Sequence, residues 1–108
     1  MVKTYQVIST ERVKLQVFKI AEYLLDEVSY DVAMKVQDGI INSFQKLSRF
    51  PHAHQIEHSV SSKTHSFRRY YKWSYKVIFI IQEAKDLVVV VDVSHSSEDP
   101  QDLIKRFL

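Results

Sequence analysis

With 108 residues, 45% of them apolar and 26% charged, the chain has the length of one domain (residues 1–108) and the balance of an ordinary soluble globule. Its net charge of +2 is too small to signal nucleic-acid binding by itself, and the absence of cysteine excludes a disulfide framework and a thiolate zinc site. No apolar run has the length of a signal-peptide core or a membrane span, so a cytoplasmic location and no membrane partner are expected.

Residues 3–8 alternate and are rich in Val, Tyr and Ile, which predicts a first strand. Ser9 or Thr10 can cap the helix that follows, in which Val13, Val17, Ile20, Leu24 and Val28 form one apolar stripe. Ser29 or Asp31 can cap a second helix with the stripe Val32, Val36, Ile40, Phe44 and Leu47, ended by Phe50-Pro51. Gly39, the only glycine, sits inside that helix at a cost of ~1 kcal/mol relative to alanine, which predicts close approach of a neighbouring backbone. So tight a connection makes the two helices an antiparallel hairpin. After a polar loop over 52–64 the period changes. Strands are predicted over 66–72, 75–82 and 87–94, with turns at Trp73-Ser74 and 83–86. The nearly continuous valine of the last strand predicts cover on both faces. Asp99, with Pro100 after it and Asp102 in the first turn, caps a short C-terminal helix. The fold class is α+β, with a strand, a helical hairpin, a three-stranded antiparallel meander and a short C-terminal helix.

Residues 63–76 contain five of the fifteen Lys and Arg residues (Lys63, Arg68, Arg69, Lys72 and Lys76) and no acid, the nearest being Glu57 and Glu83. Phe67, Tyr70, Tyr71, Trp73 and Tyr75 are threaded among them. Cations neutralise phosphate and aromatic faces stack on bases, so this mixture suits nucleic acid; Arg, Tyr and Trp also anchor protein interfaces, so it suits an acidic partner equally. A plain solvated face is the alternative, although it needs no such aromatic surface. Lys63, Arg68, Tyr71, Lys72, Trp73 and Tyr75 are the residues expected to bind nucleic acid or a partner.

Strand alternation puts Phe67, Arg69 and Tyr71 on one face and Arg68, Tyr70 and Lys72 on the other, so only one of the two arginines can point into an open groove. Tyr75, Val77, Phe79 and Ile81 share a face. Lys76 points the other way, towards Asp92 and Ser94. Of the histidines, His52, His54, His58 and His65 lie in or beside the loop with no cysteine or spaced carboxylate to complete a site, so neither metal nor cofactor is expected. His95 ends the valine strand, where an imidazole can serve as general acid or base or simply close the strand.

With these elements in place, the chain resembles the RelE/ParE superfamily of toxins from type II toxin–antitoxin modules. The resemblance rests on Phe67-Arg68-Arg69, on Tyr75-Lys76-Val77-Ile78-Phe79, and on the valine strand running into His95-Ser96-Ser97-Glu98-Asp99-Pro100. It implies a toxin that arrests growth, either by cutting messenger RNA on the ribosome or by poisoning DNA gyrase, and that a cognate antitoxin neutralises. Toxins of this superfamily that cleave RNA are metal-independent endoribonucleases, and the resemblance assigns their catalytic positions to Arg69, Lys76 and His95. Two departures stand out. Lys76 replaces the usual arginine and loses a bidentate grip on phosphate, and Ser96, Ser97 and Glu98 replace basic residues. The antitoxin is expected to dock on the aromatic-basic strand and the apolar last strand. The alternative is a non-catalytic binding module, a degenerate toxin that holds an acidic protein or RNA.

Overall fold

The computed structural model describes residues 3–61 and 66–97. Its elements are strand β1 (Gln6–Ser9), helices α1 (Glu11–Glu27) and α2 (Tyr30–Gln45), and strands β2 (Gln55–Ile56), β3 (Phe67–Lys72), β4 (Tyr75–Gln82) and β5 (Leu87–His95). Lys63, His65 and the expected helix from Asp99 lie outside the described residues.

Thr10 and Ser29 are the helix caps; their hydroxyls accept from Val13 N and Val32 N, satisfying amides that have no partner within the helix. The stripes face the sheet as their period requires, with Val13, Val17, Ile40, Phe44 and Leu47 buried. Towards the hairpin bend the burial shifts by one residue, to Ala21 and Ala33. Their small side chains fill the interior there, and Val28 and Val32 are left exposed.

The strand order is β1-β5-β4-β3-β2. β3, β4 and β5 form the expected antiparallel meander, and β1 adds itself in parallel beside β5. β2 was not expected: two residues inside the apparently polar loop pair with Arg68 and Arg69 at the far edge. β5 is therefore interior to the sheet, flanked by β1 and β4, and its edges are not the docking surface that its composition implied. Cover on the second face is found over only part of β5. Val88, Val90 and Val93 are buried under the helices; on the other side Leu87, Val89 and Val91 are half-buried, whereas Asp92 and Ser94 are buried.

A register shift lets that alternation change parity. Ile78 pairs with Asp92 but Phe79 pairs with Val90, so Val91 is an extra residue that bulges β5. β1 ends its pairing at Ser9–Val90, and beyond it the side chain of Gln16 from α1 takes over. Gln16 Oε1 accepts from Val93 N at 3.0 Å, and Nε2 donates to Asp92 Oδ1 at 2.9 Å. One amide thus satisfies a strand-edge donor and a fully buried carboxylate.

Gly39 is a point of close approach, but to a side chain rather than a backbone. A Cβ there would stand 2.7 Å from Trp73 Cζ3 and closer still to Cη2. The indole reaches α2 from the β3–β4 turn, where Trp73 adopts a left-handed φ of 53°. Because Trp73 is half-exposed, the ring is what yields to a methyl group. Gly39→Ala should therefore gain up to ~1 kcal/mol of helix propensity, offset in part by lost indole packing. Emission of the sole tryptophan should move to the red as the ring leaves α2; an unchanged spectrum would refute the contact.

Candidate functional site

The hairpin of β3 and β4 sorts the basic segment by face. Tyr71 pairs with Lys76 and Arg69 with Ile78, so Arg69, Tyr71 and Lys76 share the face away from the helices. Arg68, Tyr70, Lys72 and Tyr75 share the helix-covered face, as alternation predicted. Arg69 and Lys76 are diagonal neighbours of like charge, an arrangement that repels unless an anion lies between them.

That anion is Glu57, the residue that follows β2. It is only 6% exposed, and its Oε1 forms an ion pair with Lys76 Nζ and lies 3.9 Å from Arg69 NH1. Ser59 Oγ donates to Oε2 at 2.8 Å. Burial pushes the carboxyl pKa up, but Lys76, Ser59 and Arg69 outweigh it, and the group ends below the ordinary glutamate value. The backbone holds Glu57 in place: its N–H donates to Phe67 O at 2.7 Å, and Ser61 Oγ donates to its carbonyl at 2.7 Å. No local pattern marks Glu57, because β2 is too short to show a period. The available signal was the unneutralised Arg69–Lys76 diagonal.

Both arginines are also occupied by the segment around β2. Arg69 donates to Ile56 O at 2.7 Å and to Gln55 Oε1 at 2.9 Å. Arg68, at the edge of the opposite face, donates to His52 O at 3.2 Å and His54 O at 2.8 Å. Much of the basic run therefore fastens chain as well as offering charge.

His95 is not brought to Arg69 and Lys76. It pairs with Tyr75, while Ser94 pairs with Lys76, so its ring lies on the helix side of the sheet. There it stands edge-on to Tyr75 at 5.6 Å, in a hollow of about 460 Å³ lined also by Lys19, Ile20, Tyr23 and Ser97. Ser97 N donates to its Nδ1 at 3.1 Å. Of the residues expected to bind a partner, Tyr71 and Trp73 are half-exposed, and Lys72 Nζ lies 4.4 Å above the Trp73 ring. Among the loop histidines, His52 pairs with Glu83, and His54 packs on Tyr70 and Phe79 with its pKa lowered by burial and by Arg68. No group of three potential ligands for a metal ion occurs among the described residues, nor any helix long and apolar enough to cross a membrane.

The profile of the ParE toxin of type II toxin–antitoxin systems, parDE, matches residues 7–100. This chain belongs to that family. No curated protein sequence matches it. Two solved structures share its fold. A chain of the chromosomal ParDE system from P. aeruginosa aligns over 86% of this chain and 97% of its own, with TM-score 0.69 and 10% identity. A chain of the toxin–antitoxin complex RelBE2 from Mycobacterium tuberculosis aligns over 91% and 97%, with TM-score 0.58 and 19% identity. The RelE/ParE resemblance and the α+β fold read from the sequence are thereby borne out, and the protein is a toxin of a type II toxin–antitoxin system.

The ion cluster makes two predictions for this ParE-family toxin. Lys76→Met leaves a buried carboxylate without its nearest cation and should cost about 3 kcal/mol in urea unfolding. Adding Glu57→Gln should recover most of that loss, and a double variant no more stable than the single would exclude the pair as its cause. The second concerns acid. A depressed folded pKa gives stability that is present above the unfolded value of about 4.3 and lost as pH falls through the lower folded value. Glu57→Gln should flatten this acid limb, and an unaltered limb would assign it to other carboxylates.

Proposed function

We propose that this toxin arrests growth by acting on DNA gyrase rather than by cutting messenger RNA, and that an antitoxin neutralises it. The observation that carries the reading is that the two cations of the central strands already share a buried carboxylate. Cleavage at a 2′-hydroxyl needs a base, a proton donor and cations free to meet the charge that develops on phosphorus. A phosphate ~4 Å from Glu57 meets a repulsion of about 4 kcal/mol at an effective dielectric of about 20, which cancels the attraction of one cation at that distance. His95, on the far face, cannot serve a phosphate held by Arg69 and Lys76. Membership in the ParE family agrees with this choice.

One observation favours ribosome-dependent messenger RNA cleavage as a second reading. A carboxylate flanked by two cations is itself a base beside its electrostatic stabilisers, with Glu57 in the part that His95 cannot play. For the antitoxin, an apolar groove of about 400 Å³ between α1, α2 and β1 offers docking surface, with Ile8, Phe18 and Ile41 exposed along it.

Tightly induced expression in bacteria, with pulse-labelling of DNA and protein synthesis, separates the readings. The gyrase reading expects DNA synthesis to fail first, and the purified protein to inhibit supercoiling by purified gyrase. It also expects Glu57→Gln to arrest growth like the parent. Failure of protein synthesis first, with toxicity lost in Glu57→Gln, would replace it with the cleavage reading. Unimpaired growth with soluble protein present would leave only a binding module.

A further inference from the structure

The bend of the helical hairpin projects past the end of the sheet. Ser43 Oγ of α2 lies 2.8 Å from the Tyr70 hydroxyl, and Gly39 abuts Trp73 in the β3–β4 turn, so α2 runs along β3 away from that turn. Tyr30, in the first turn of α2, precedes Gly39 by nine residues and lies about 13 Å further along the axis. The bend therefore overhangs the β3–β4 turn. Four large apolar side chains are grouped there, Leu25, Val28, Tyr30 and Val32, between 36% and 64% exposed. Apolar residues scattered singly over a surface need no explanation, but a group at a projecting point does.

The charge around these side chains has one sign. Residues 20–34 contain four acids, Glu22, Asp26, Glu27 and Asp31, and no Lys, Arg or His. All four are exposed, and none is ion-paired with a described residue. Asp31 sits in the first turn of α2, where the positive end of the helix dipole favours it. Asp26 and Glu27 are placed the other way. They occupy the last turn of α1, at the negative end of its dipole and beside carbonyls that no helical N–H reaches, and that turn holds no basic residue. Lysine in either place would make the isolated helix more stable. A placement that weakens the free chain is accounted for when a partner supplies the missing cation.

We infer that the bend of the α1–α2 hairpin is a docking surface for a basic, apolar protein segment, which lays hydrophobic side chains on Leu25, Val28 and Tyr30 and sets Lys or Arg against Asp26 and Glu27. Charge complementarity decides the occupant. A second copy joined through the same surface would bring these acids against their own counterparts in a two-fold contact. Nucleic acid and anionic membranes carry the charge that the acids repel. None of these residues lines the groove beside β1 or belongs to the Glu57 cluster, so the surface is distinct from both.

The full chain is titrated into a labelled helical peptide with leucine on one face and lysine on the other, and anisotropy is followed. Saturable binding is expected, weakening as salt is raised. Asp26→Lys/Glu27→Lys should raise Tm by roughly 5 °C and weaken the peptide about tenfold, so that lost binding is not lost folding. A fall in Tm would make the two acids structural and remove them from docking. The same peptide with serine for leucine keeps its charge and should fail to bind; equal binding would reduce the surface to an acidic patch and overturn the proposal. No binding of the first peptide would also overturn it. A dimer of the free chain that is lost in Val28→Ser/Tyr30→Ser would assign the bend to a second copy and defeat it.

Discussion

Taking the Glu57 carboxylate out of water costs several kcal/mol, and the chain offsets that cost only because Lys76 and Arg69 converge on it from β4 and β3. The contact is reciprocal. Without Glu57, two like charges would face each other across neighbouring strands on a half-buried surface. With it, the cluster carries one net positive charge instead of two, so part of the local positive charge suggested by the composition of residues 63–76 is met inside the protein.

The same cluster explains why a two-residue strand persists at the edge of the sheet. β2 alone is far too short to be stable, yet Arg69 grips Ile56 and Gln55 from one face while Arg68 grips His52 and His54 from the other. Hydrogen bonds to charged groups contribute more than neutral ones, and four of them fasten this one segment. Adjacent arginines of opposite facing act as two clamps on the chain that delivers Glu57. The opposite side of the sheet uses a comparable device with less charge, since Gln16 extends the short β1 by one side-chain amide.

How much of this the sequence disclosed follows from the range of each signal. Period-two alternation fixed the faces of β3 and β4 correctly, and the 3.6-residue stripes located both helices, because burial acts on every residue of an element. β2 left no trace, as two residues have no period, and Glu57 therefore read as part of a polar loop. Gly39 was recognised as a close approach, but composition cannot tell a backbone from an indole. His95 is a different case. The alternation that put Ser94 beside Lys76 also sends His95 to the other face, so the sequence itself argued against grouping the three residues as one site. Its position at the end of a strand says how far a side chain reaches, whereas parity says which way.

The two open edges of the sheet differ in chemistry as much as in position. β1, at one end of the strand order, is flanked by the apolar groove that exposes Ile8, Phe18 and Ile41; β3, towards the other, is bordered by Lys46 and Lys72. An amphipathic segment gains by burying apolar area against the first and gains nothing from the second unless it also carries acids. Salt should separate them too, since screening weakens exposed charge pairs and leaves apolar burial intact. A toxin must be held tightly when silenced and must engage its target when released. Two edges with different driving forces do not draw on the same groups, and the central cations already share one carboxylate.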